Sequence, residues 1–369
     1  MTIALLFLAA LLAFANGSND NSKGVATLVG FGAARPLQAL VYATVATALG
    51  GVVSFFLAAG LLKGFSGNWL FGKGIILDRA FYAAVLVGAC GWVLLATRTG
   101  LPVSTTHAII GALCGAGLVS FGNAKFQWPM LGQKFAIPLA VSPLLSLAVV
   151  YVIAWPILFL VGRLASQTPE GSGPGNGTLA AVDVPAPFSP RLPADDFREG
   201  NVAVLEQASF VKTSISPTAN AIHWLSCGLI SFARGWNDTP KIAALSLLAL
   251  SGVAHGTLIG FLVVTVAMAA GGLIMGRKVL ETLAKKLTPL PLAESLTASL
   301  VTATLVGLAS WIALPVSTTH VTTGSIIGAG LKNNPSGVKW AKVGEIVLSW
   351  IITLPVAGLL AAAAKWLLH

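Results

Sequence analysis

The chain has 369 residues, of which 56% are hydrophobic and only 9% charged, and its mean hydropathy is +0.85. This composition excludes a soluble globular domain and indicates a polytopic α-helical membrane protein. The formal net charge of +10 is spread over lysines and arginines in short loops at helix ends, a distribution that suits membrane-flanking loops and no nucleic-acid partner.

From the N-terminus, the first apolar run, 2–30, is interrupted. Its stretch IALLFLAALLAFANG resembles the apolar core of a secretory leader, but no basic segment precedes it and its end recurs later in the chain, so it is read as a retained transmembrane helix. Runs long enough to cross about 30 Å of hydrocarbon follow at 37–62, 79–97 and 135–161. After an interrupted run at 219–250 come three more, at 254–275, 290–311 and 344–367. The runs are continuous rather than alternating, which predicts helices and not a barrel. Cys90, Cys114 and Cys227 stand singly inside apolar runs and read as small packing residues.

Two internal matches set the architecture. FANGSNDNSKGVA at 14–26 aligns without gaps to FARGWNDTPKIAA at 232–244, and LPVSTTHAIIGALCGAGL at 101–118 aligns to LPVSTTHVTTGSIIGAGL at 314–331. The offsets are 218 and 213 positions, so order and spacing are kept, as in a duplication. The expected division is a membrane repeat over 1–162, a linker over 163–218 and a second membrane repeat over 219–369. The linker carries GSGPGNG, six prolines between 169 and 193 and six of the twelve acids, a composition that predicts a solvated, flexible segment. Each repeat is expected to hold about five membrane segments, with broken helices near Gly17 and Gly235 and re-entrant hairpins at the LPVSTTH segments. An odd number of crossings per repeat makes the repeats inverted, an arrangement common in secondary transporters.

The duplicated polar residues carry the chemistry. Asp20, Lys23, Asp238 and Lys241 are four charges inside apolar runs, a cost on the order of 10 kcal/mol at the bilayer centre if unpaired, which implies pairing or a ligand. Asn19 and Asn237 are duplicated with them. In LPVSTTH, Pro102 and Pro315 favour a helix start just downstream, and Ser104, Thr105, Thr106, Ser317, Thr318 and Thr319 place hydroxyls beside the free N–H groups of that first turn. Such a set of donors suits an oxyanion. His107 and His320 follow directly, with an orienting role or a proton-handling one, and their spacing matches no metal site. Arg234 aligns with Asn16 and so breaks the symmetry of the two copies, either at the site or at a surface.

The paired Gly-x-Asn-Asp and Pro-x-Ser-Thr-Thr-His motifs, once per half and in the same order, resemble those of the PiT family of inorganic phosphate transporters over both halves of the chain. The resemblance implies phosphate as substrate, symport with H+ or Na+ and no cofactor, inverted repeats and a homodimer embedded in the plasma or inner membrane. It also implies that the twelve Asn, Asp, Lys, Ser and Thr residues named above bind substrate. One departure stands out: the family pattern GANDVANA has an asparagine three residues after the aspartate, where this chain has Lys23 and Lys241. A lysine ammonium cannot coordinate a metal, which favours proton coupling. If both lysines instead reach the membrane surface, a sodium site at Asp20 and Asp238 survives. A sulfate or other oxyanion permease of the same fold is the first alternative. A membrane-embedded enzyme acting on a phosphorylated lipid is a remote one: it needs a nucleophile–base pair or metal cluster, whereas the duplicated symmetric motifs argue for alternating access.

Overall fold

A computed structural model describes residues 2–72, 74–165, 217–247, 249–287 and 290–368. Most of the expected linker, 166–216, therefore lies outside the described residues. The first repeat consists of α1 (Thr2–Asp20), α2 (Ala26–Phe31), α3 (Pro36–Leu57), α4 (Ala59–Gly64), α5 (Arg79–Thr99), α6 (Thr105–Phe121), α7 (Trp128–Leu131) and α8 (Ile137–Ala165). The second consists of α9 (Pro217–Ser246), α10 (Gly256–Met275), α11 (Arg277–Glu281), α12 (Leu292–Trp311), α13 (Thr318–Asn333) and α14 (Trp340–Leu367). Among the described residues seven helices are long and apolar enough to cross a membrane. The helix α9 has the length but not the apolarity, because the charged motif sits in its middle.

The two repeats interlock through matching contacts. The first helix of each packs on the second helix of the other, α1 on α10 and α9 on α3. Likewise α6 packs on α14, and α13 on α8. Glycines make these approaches possible: a Cβ on Gly17 would strike the Met268 carbonyl oxygen, and one on Gly235 the Thr47 carbonyl oxygen. The second set behaves alike, with Gly115 against the Gly358 carbonyl and Gly328 against the Leu147 carbonyl. Without water in the bilayer to drive association, helices gain from backbone contact at small residues. Here the glycines of the first motif serve that contact rather than unwinding the chain. α1 stays helical through Gly17 and loosens only after Asp20, into a tighter 3-10 turn at Asn21–Gly24, while α9 runs unbroken through Gly235 and Pro240.

Each LPVSTTH segment forms the tip of a helical hairpin. Gly100 adopts a left-handed φ of 75° and closes α5, with Leu101 N–H bonded back to Ala96 O at 3.0 Å. Its counterpart is Ala313, also left-handed at φ 57°, with Leu314 N–H bonded to Ala309 O at 2.8 Å. Four non-helical residues, 101–104 and 314–317, follow each turn before α6 and α13 run back along α5 and α12. With 17 and 16 residues, these returning helices are about 25 Å long, short of the hydrocarbon thickness. The residues that start them, Val103 to His107 and Val316 to His320, are buried inside the protein.

Candidate functional site

The two hairpin tips meet α1 and α9 at one buried polar centre. Lys23 donates to Asp20, to the Val103 carbonyl at 2.8 Å and to the Thr319 hydroxyl. Lys241 repeats the arrangement with Asp238 at 3.3 Å, the Val316 carbonyl at 2.9 Å and Thr106 at 2.9 Å, and also donates to Asn237. Each lysine thus ties its own repeat's hairpin tip to a threonine of the other repeat. Lys23 and Lys241 are 2% and 1% exposed, so neither reaches a membrane surface.

Between the two lysine–aspartate pairs lies Asn16. Its amide donates to Asp20 at 2.8 Å, to Thr105 at 3.0 Å and to Asp238 at 3.4 Å. Thr105 in turn donates to Asp20 at 3.3 Å. Arg234, 1% exposed, donates to Asn16 at 3.2 Å, Asn21 at 3.3 Å and Thr47 at 3.0 Å, and lies 3.8 Å from Asp238. The sequence left Arg234 between site and surface; the fold puts it inside. Three cations face two carboxylates here, a formal excess of one positive charge. Burying such a cluster is tolerable only because every charge is paired, and its excess charge favours an anion. The Nε of Arg234 and the hydroxyl of Thr239 have no protein partner.

The serines and histidines sit differently from the threonines. Ser104 caps α6, accepting from His107 N–H at 3.2 Å and sharing a 2.8 Å hydrogen bond with the His107 ring. Ser317 caps α13 in the same way, accepting from His320 N–H at 3.3 Å. The two rings pack against each other at a tilt, centroids 4.6 Å apart, and His320 also packs on Trp350 at 4.0 Å while its Nδ1 donates to Leu139 O at 3.0 Å. The histidines therefore pack the hairpins together rather than joining the charges. Thr318 is buried on the first turn of α13.

Asn19 does not join the charged centre either. It pins the first hairpin tip, donating to Leu101 O at 2.9 Å and Thr97 at 3.0 Å and accepting from Val103 N–H at 3.0 Å. Its counterpart Asn237 donates to Ser310 at 2.9 Å, but its oxygen accepts from Lys241. Sequence reasoning did not single out Asn21, Thr47, Thr97 or Ser310. Thr97 and Ser310 were detectable, since extending the second alignment backwards pairs two hydroxyls at the same offset of 213. Thr47 was not, because in the match of VATALGGVV at 45–53 to VAMAAGGLI at 266–274 its counterpart is Met268, which carries no hydroxyl.

Relatives place this geometry in a family. The model of the phosphate transporter family matches residues 16–361. A putative phosphate permease of Pyrococcus abyssi is 29% identical, over 97% of this chain and 95% of its own. A probable low-affinity inorganic phosphate transporter of Rhizobium meliloti is 29% identical, over 98% of this chain and 95% of its own. A solved sodium-dependent phosphate transporter shares the fold with a TM-score of 0.75 at 23% identity, covering 100% of this chain and 98% of that one. The chain belongs to the phosphate transporter family, as a multi-pass integral membrane protein and not an enzyme.

Proposed function

We propose that the protein moves inorganic phosphate by proton-coupled secondary transport, with phosphate bound in the centre formed by Lys23, Lys241, Arg234 and the tip threonines. The observation that carries this reading is the pairing of each lysine with both a carboxylate and a threonine of the opposite repeat. An arriving oxyanion competes with Asp20 and Asp238 for the ammonium groups. As a lysine turns to a phosphate oxygen, the carboxylate it leaves becomes an unpaired buried charge, which a proton neutralises. Anion and proton then load together. Thr105, Thr106 and Thr319 supply neutral donors to the remaining phosphate oxygens, with Thr318 beside them. Asn19, Asn237, Ser104 and Ser317 hold the hairpin tips in register.

Phosphate is preferred to sulfate because Asp20 and Asp238 accept hydrogen bonds, and phosphate carries a hydroxyl to donate while sulfate at neutral pH has none. Each repeat crosses the bilayer an odd number of times, whether α5 and α6 count separately or as one hairpin, so the repeats are inverted and the centre faces alternate sides. A sodium ion beside either aspartate has to displace a lysine ammonium already bonded there. The test is uptake of radiolabelled phosphate into proteoliposomes with excess sulfate as competitor. Phosphate uptake unaffected by sulfate is the expected result; equal competition contradicts phosphate selectivity.

A further inference from the structure

The two hairpin tips are not equally enclosed. At the first tip, Gly100 packs beneath the chain of α11, with Lys278 and Thr282 closing over it, and Asn19 pins Leu101 and Val103. At the second, Leu314 is 38% exposed, the oxygen of Asn237 is occupied by Lys241, and a cavity of about 540 Å³ opens against Ala313, Leu314 and Pro315. Two exposed lysines, Lys63 and Lys134, also line this cavity. Phe65, which is fully buried, is part of its wall. Phe65 stands between the two compartments: it belongs to the cavity's wall, and Lys241 Nζ lies 5.5 Å from its ring centroid. Phe135 packs edge-on against it at 5.3 Å, and Trp69 stacks on Phe135 at 4.6 Å.

We propose that this cavity is a vestibule holding a tetrahedral oxyanion at an outer position between Lys63 and Lys134, and that the Phe65 ring is the barrier separating it from Lys241. The proposal rests on the reading of the lysine centre as the phosphate site. Two cations at the mouth of a partly apolar cavity concentrate anions and raise their arrival rate, an effect that salt screens. The face of an aromatic ring attracts the Lys241 ammonium and repels an anion. Phe65 therefore holds the lysine in place while it blocks the path, and it has to swing aside for the anion to reach Lys241. The left-handed Ala313, strained where its counterpart is glycine, places a strained turn on the same wall.

The charges are tested by kinetics on the reconstituted full chain. Lys63→Gln with Lys134→Gln is expected to raise KM for phosphate about fivefold at low ionic strength with Vmax unchanged, the difference shrinking at about 0.5 M salt. Lys63→Arg with Lys134→Arg keeps the wild-type KM. An unchanged KM in the glutamine variant overturns the outer site. The barrier is tested by labelling, which needs no transport. Cys90, Cys114 and Cys227 are replaced by alanine, Thr106→Cys is introduced, and an anionic methanethiosulfonate is added. Phe65→Ala is expected to speed labelling at least about tenfold, and Phe65→Leu, which keeps apolar volume, to do so less. Equal rates with Phe65 and either variant overturn the barrier. Labelling that the Phe65 variants accelerate but inorganic phosphate does not slow supports the barrier and counts against the phosphate reading of the inner site.

Discussion

Arg234 and Asn16 are equivalent positions of the two repeats, 218 residues apart in sequence, and they touch: the arginine Nη1 donates to the asparagine Oδ1 at 3.2 Å. Two equivalent residues meet only near the axis that relates the repeats. His107 and His320, 213 residues apart, meet in the same way at 4.6 Å. The charged centre thus lies on the internal symmetry axis, and Arg234 is the residue that makes it unequal. It supplies the third cation on one side only.

Arg234→Gln removes that excess charge and leaves two lysines against two carboxylates. Losing one hydrogen-bonded charge from a buried anion site costs about 1.5–3 kcal/mol, so phosphate uptake should fall roughly ten- to a hundredfold while the melting temperature in detergent changes little. Wild-type uptake in a folded variant removes Arg234 from the binding centre.

The hydroxyls of LPVSTTH separate into two roles. Thr106→Val and Thr319→Val each take away a partner of a lysine in the opposite repeat, and both should depress uptake strongly in folded protein. Ser104→Ala and Ser317→Ala remove helix caps and should cost about 1 kcal/mol of stability, with a smaller loss of uptake. Parallel melts and uptake rates decide it; a serine variant that melts normally yet is inactive contradicts the division.

The interlocking of the repeats depends on glycine. Gly17→Ala and Gly235→Ala drive a methyl into the carbonyls of Met268 and Thr47 and should lower the yield of folded protein severely, whereas Gly132→Ala, with open space around it, should be silent. Size-exclusion profiles after extraction distinguish these outcomes. A monodisperse, wild-type-like Gly17→Ala protein contradicts the packing.

Much of this was legible before any coordinates. The apolar runs at 79–97 and 254–275 fall within two residues of α5 and α10 at each end, because continuous apolarity over one bilayer thickness leaves the backbone little choice. The duplicated Asp-x-x-Lys motif announced the charged centre, since unpaired charge in a membrane is costly enough to be informative. What sequence did not disclose is which partner each group takes. Lys23 finds Thr319, 296 residues away, and Asn19 turns to a hairpin backbone instead of the charges. The glycines were misleading in a physical way: the same residue that permits unwinding permits close helix contact, and only the neighbouring helix decides between them.

The two lysines carry the central claim, because each ammonium stands beside an aspartate where a coupling metal ion would otherwise bind. The most direct measurement is phosphate uptake into proteoliposomes at fixed internal pH, with an imposed proton gradient and sodium fully replaced by choline, for wild type and for Lys23→Asn with Lys241→Asn. The account predicts that wild-type uptake follows the proton gradient and is the same in choline as in sodium, and that any sodium dependence appears only in the double variant. Wild-type uptake that stops when sodium is withdrawn contradicts it.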